Sequence, residues 1–142
     1  MVDVSQQTVL VVEDSPLFRK MVGEFLHALG VRHLVEASNG RAAIEQLAHS
    51  RPDLVCLDLT LPDVSGYDVC EYIRGQSELE GLPVLMISAR GTLLDRAQAE
   101  EVGADGYLTK PFTQEEFNQQ VVRLLARAAE LASGGKSDVR TP

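Results

Sequence analysis

Five short apolar runs recur along this chain, and a stretch patterned as an amphipathic helix follows each one. The runs, residues 9–12, 31–35, 54–57, 83–87 and 106–108, are mostly aliphatic and lack polar alternation. That composition predicts strands covered on both faces. The first helical pattern is the clearest. Ser15 can cap it, Pro16 suits its first position and Gly30 can end it. Within it Phe18, Met21, Val22, Phe25, Leu26 and Leu29 follow the i, i+3, i+4 spacing of one buried stripe. Further helices are expected over 40–50, 66–75, 92–102 and 113–132. Asn39-Gly40 would suit a hairpin, but a helical pattern follows it, so it reads as a helix start. Five β–α units in series imply a doubly wound α/β fold: a parallel sheet, right-handed crossovers and helices on both faces.

Composition narrows the function classes. A formal net charge of −8 argues against nucleic acid as a partner of this chain, because phosphate binding needs a basic face. The sequence contains no apolar stretch of ~18 residues, so no membrane span is expected. Residues 1–7 are polar and unlike the apolar core of a signal peptide, which points to a cytoplasmic protein. Cys56 falls in a strand run and Cys70 in a helical one, so both read as small hydrophobes. His27, His33 and His49 show no metal-ligand spacing with one another or with the cysteines. The segment 133–142 is polar and Gly/Ser-containing and reads as a flexible tail or linker.

Chemistry concentrates at the carboxyl ends of the strands. Glu13 and Asp14 end the first run, Asp58 the third, Ser88 the fourth and Lys110 the fifth. Open α/β sheets bind ligands at that edge, where strand order reverses. Two unit charges ~4 Å apart repel by about 4 kcal/mol at an effective dielectric of 20. Three gathered carboxylates therefore call for a cation or raised pKa values. Hard oxygen donors favour a hard cation such as Mg²⁺, and with the lysine opposite them the layout suits metal-assisted handling of a phosphate.

Four motifs in order carry a more specific resemblance. They are Val11-Val12-Glu13-Asp14-Ser15, Leu57-Asp58-Leu59-Thr60-Leu61-Pro62-Asp63-Val64-Ser65-Gly66, Ile87-Ser88-Ala89, and Gly103 through Phe112 with Lys110-Pro111. Over residues 7–132 the chain resembles the receiver domain of two-component response regulators. The resemblance implies a flavodoxin-like five-stranded sheet of order 2-1-3-4-5 with five helices. It makes Asp58 a phosphoacceptor that takes a phosphoryl group from a sensor histidine kinase or a histidine phosphotransfer protein. It also implies Mg²⁺ bound directly by Asp14, Asp58 and the Thr60 carbonyl, with Glu13 acting through water. The family often carries aspartate where this chain has Glu13, so reach differs while charge does not. Lys110 would pair with Asp58 at rest and with a phosphoryl oxygen afterwards, and the bond to Pro111 is commonly cis in the family. Ser88 resembles the switch hydroxyl and Tyr107 the switch aromatic. Thr60 and Arg90 occupy positions that tune dephosphorylation.

The output would be a downstream protein target or a fused output domain, recognised by the face of the fourth helix, fifth strand and fifth helix. The first helix would dock the kinase. A phosphorylation-independent interaction module of the same fold is the alternative, but it calls for losses at the site that this sequence does not show. A flavodoxin-like cofactor binder is disfavoured because Glu13-Asp14-Ser15-Pro16 stands where a phosphate loop should be, and its acids would repel the cofactor. A hydrolase with an aspartyl nucleophile would want a second acid where Thr60 stands.

Overall fold

Strand periodicity divides each apolar run between two cores. In β1 (Thr8–Val12), Val9 and Val11 pack into one cluster with Val22 and Leu26, while Leu10 and Val12 join Leu47 and Val69 in the other. Side chains alternate across a pleated strand, so a run without polar gaps must serve both faces. The computed structural model describes the backbone of residues 3–140 and the side chains through residue 132. The remaining strands are β2 (His33–Ala37), β3 (Leu54–Asp58), β4 (Val84–Ser88) and β5 (Gly106–Thr109). All neighbours pair in parallel, in the order β2-β1-β3-β4-β5. The expected sheet order and architecture are therefore present.

Helices α1 (Pro16–Ala28) and α5 (Gln114–Arg140) cover one face, and α2 (Gly40–His49), α3 (Gly66–Arg74) and α4 (Leu93–Glu101) cover the other. Their starts are chemically specified. Ser15, Asn39, Ser65 and Thr92 each accept a backbone N–H two or three positions into the helix that follows. Ser65 and Asp68 complete a reciprocal capping box. Short 3₁₀ turns at Val4–Gln6 and Ser77–Leu79 were not foreseen from the sequence.

Two boundaries differ from expectation. β2 begins at His33, not at residue 31, because Val31 belongs to the end of α1. The Gly30 N–H bonds to the His27 carbonyl and the Val31 N–H to the Leu26 carbonyl, with Gly30 at φ +99°. This left-handed stop draws Val31 under the helix, where it is buried. At the other end, backbone of α5 is helical past residue 132, where the sequence suggested a tail. Ala126, Ala128, Ala129 and Ala132 favour helix and give no stop signal. Residues 141–142 of that expected tail lie outside the described residues.

Cys56 and Cys70 are free, buried and in different cores. Burial pushes the Cys56 thiol up to about 12 and the Cys70 thiol up to about 11. Both behave as small hydrophobes, as their sequence context suggested.

Candidate functional site

The carboxyl ends of β1, β3, β4 and β5 bring Glu13, Asp14, Asp58, Ser88 and Lys110 to one edge. Ladder bonds set their backbones: the Glu13 N–H reaches the Ala37 carbonyl at 3.0 Å, that of Leu59 the Ile87 carbonyl at 3.0 Å, and that of Lys110 the Ser88 carbonyl at 2.8 Å. Carboxylate oxygens of Glu13, Asp14 and Asp58 all lie within 4.8 Å of one another. Glu13 and Asp58 are buried, whereas Asp14 is exposed at the mouth. The donor set is purely hard oxygen, which fits Mg²⁺.

Lys110 is closer to Glu13 than to Asp58. Its Nζ lies 3.0 Å from Glu13 Oε1 and 3.5 Å from Asp58 Oδ2, so the resting pair expected with Asp58 is shared. The extra methylene of glutamate lets Glu13 reach the ammonium, an outcome of side-chain length that the family pattern does not convey. Burial pushes the Glu13 carboxyl above its usual range. The Ser15 N–H and Lys110 hold it down, and the Asp58 charge pushes it up again. A bound cation would relieve that cost.

Asp58 Oδ1 accepts the Thr60 N–H at 3.2 Å, which orients the carboxylate from its own loop. Ser88 is buried and its Oγ accepts the Arg90 N–H at 2.9 Å. The Tyr107 hydroxyl donates to the Arg90 carbonyl, so both candidate switch residues hold the same β4–α4 loop residue. The Arg96 guanidinium lies over the Tyr107 ring, 5.0 Å from its centre. The Lys110–Pro111 bond is cis.

Three contributors escaped the sequence reading. Arg19 bonds the Glu13 carbonyl through Nη1 at 2.7 Å and Glu36 Oε1 through Nε at 2.9 Å, tying the acidic loop to β2. Phe18 lies beneath the Lys110 ammonium. Asp63, inside a quoted motif but given no role, accepts the N–H groups of Gly40, Arg41 and Val64 at 2.8–2.9 Å. Its position after Pro62 was the available signal, since aspartate in a turn often accepts nearby backbone N–H groups.

Desolvation opposes the charge on Asp63, yet the N–H groups of Arg41, Gly40 and Val64 prevail and hold its carboxyl at about 2. A depressed acid stabilises the fold fully above its ordinary pKa of 3.8, and that contribution is lost as pH falls toward about 2. Asp63→Ala should therefore flatten the loss of stability across that window, read by denaturant unfolding at a series of pH values. An unchanged pH dependence would contradict the assignment.

Comparisons with known proteins fit this geometry. Residues 9–122 match the family model of the response regulator receiver domain. The chain is 38% identical over 130 residues to a DNA-binding dual master transcriptional regulator, RpaA, of a Synechocystis species, covering 90% of this chain and 53% of that protein. This chain thus spans about half the length of the first curated relatives it matches. A putative response regulator from Chloroflexus aurantiacus superposes with TM-score 0.80 at 32% identity, covering 84% of this chain and 98% of that one. The receiver domain of a sensor histidine kinase from Pseudomonas aeruginosa, solved with magnesium in its active-site cleft, superposes with TM-score 0.77 at 28% identity. That match covers 84% of this chain and 98% of the other.

Proposed function

Because the chain belongs to the response regulator receiver domain family, we propose that Asp58 is a reversible phosphoacceptor for a phosphohistidine on a kinase or phosphotransfer protein. The observation that carries this reading is the Glu13–Asp14–Asp58 cluster with Lys110 bridging two of its members. An Asp58 carboxylate oxygen forms the new O–P bond as the donor's P–N bond breaks, and the imidazole leaves with the electron pair and takes up a proton. Phosphoryl transfer of this kind depends mainly on positioning and charge neutralisation. Asp14, Asp58 and the Thr60 carbonyl, with Glu13 through water, would hold Mg²⁺, and the ion would offset negative charge on the phosphoryl oxygens. Lys110 gives up its shared contact with Asp58 and meets a phosphoryl oxygen. The Ser88 hydroxyl leaves the Arg90 N–H and donates to another, and Tyr107 follows through the Arg90 carbonyl.

Residues 7–132 would form the receiver unit, with the helical backbone of α5 continuing beyond it as a linker. The α4–β5–α5 face would carry the signal to a protein target or a fused output domain, and α1 would receive the kinase. No helix among the described residues is long and apolar enough to cross a membrane. Action in the cytoplasm fits the reading. The test is NMR of the isotopically labelled chain with Mg²⁺ and BeF₃⁻, a phosphoryl mimic. Shifts should spread from Asp58 to Ser88, Arg90 and Tyr107. Shifts confined to the acidic loop, or equal in Asp58→Ala, would count against it.

A further inference from the structure

We propose that Phe18 is a positioning residue for Lys110, holding the ammonium on its ring face beside the two carboxylates. The inference deepens the phosphoacceptor reading and rests on Lys110 as the cation that meets the phosphoryl group. Lys110 Nζ lies 4.0 Å from the centre of the Phe18 ring, near the distance at which the negative face of an aromatic attracts a cation. The Lys110 side chain is only 22% exposed, so water screens this contact weakly.

The ammonium has three donors, and the structure gives two of its directions to Glu13 Oε1 and Asp58 Oδ2. Among the described residues no third acceptor meets the ammonium, and the Phe18 ring face lies within reach of it. A lysine reaches its site on a flexible four-carbon stem, so its precision must come from what surrounds the head. An aromatic face suits a charge that has to move. It attracts the cation without a fixed hydrogen-bond direction, so Nζ can shift from Glu13 toward a phosphoryl oxygen while staying over the ring.

The ring is itself held. Phe18 N–H is the donor to the Ser15 cap, which places the residue in the first turn of α1. Its ring meets Phe112 edge to face, with centres 5.6 Å apart and planes at 84°. Phe112 stacks on the fully buried Phe117 at 5.8 Å, and Phe25 closes the group against both. The Lys110–Pro111–Phe112 segment thus carries both the ammonium and the aromatic that braces its support.

Three measurements separate charge positioning from plain packing. In the full chain without any phosphodonor, ring-current shielding should move the Lys110 ε-methylene protons upfield of ordinary lysines. Phe18→Leu should return them to the ordinary position, and Phe18→Tyr should not. With acetyl phosphate and saturating Mg²⁺, Phe18→Leu should slow phosphorylation by about 3- to 30-fold, the range of a partly desolvated cation–π contact, while Phe18→Tyr stays within about twofold. In a Lys110→Met background Phe18→Leu should cost nothing further. An unshielded Lys110, or an equal loss in both backgrounds, would overturn the assignment. Failure of the parent chain to be phosphorylated would instead strike the phosphoacceptor reading, and the shielding experiment would still decide the role of Phe18.

Discussion

Lys110→Met should slow phosphorylation of Asp58 by about 10²-fold, the usual cost of removing one preorganised charge or donor from a transition state. The same change should tighten Mg²⁺ binding. Lys110 lies 3.0 Å from Glu13 and 3.5 Å from Asp58, so it competes with any cation for those oxygens. Opposite signs in the two measurements are what make the prediction specific. A merely structural lysine would weaken both, through disorder of the acidic loop. Lys110→Arg would not be a fair rescue, because a planar fork does not replace a compact ammonium. Rates from acetyl phosphate and Mg²⁺ affinities from isothermal titration check the pair of effects.

Gly66→Ala should damage the fold and the site together. A Cβ there would stand 2.5 Å from the Asp58 carbonyl oxygen and 2.8 Å from Leu59 Cα. Both obstacles are backbone, so no side-chain rotation relieves the conflict. The Gly66 N–H also bonds the Leu59 carbonyl at 2.8 Å, which locks the first turn of α3 against the loop after Asp58. Overpacking of this kind costs about 1–3 kcal/mol. Relief requires the Asp58–Leu59 backbone to move, so BeF₃⁻ binding should weaken as well. Denaturant midpoints and a BeF₃⁻ titration read the two effects. Stability and binding both at the parental level would contradict this packing argument.

The sheet was legible because its central strands β1, β3 and β4 are apolar and buried on both faces, a pattern that few other segments of a globular chain imitate, whereas edge strand β2 exposes His33 and Glu36. Its edges were less so. Val31 has every property of a strand residue, and only the hydrogen bond from its N–H to the Leu26 carbonyl assigns it to the end of α1. The site was legible as a set of positions, since each of its residues ends a strand at the edge where such folds bind ligands. Pairing within the set was not. That Lys110 lies nearer Glu13 than Asp58 depends on one methylene in Glu13, and that it rests on Phe18 depends on how the first turn of α1 meets the loop after β5. Phe18 had looked like one more member of the buried stripe. Asp63 shows the same limit, because its three N–H partners come from its own loop and the start of α2.

Everything proposed for the site depends on Asp58 itself taking up the phosphoryl group. Intact-mass spectrometry after incubation with acetyl phosphate and Mg²⁺ reads that uptake. One phosphoryl group should be added and hydroxylamine should remove it, as expected of an acyl phosphate, with none added in Asp58→Asn. A parent chain that stays unmodified, or an equal addition in Asp58→Asn, would contradict it.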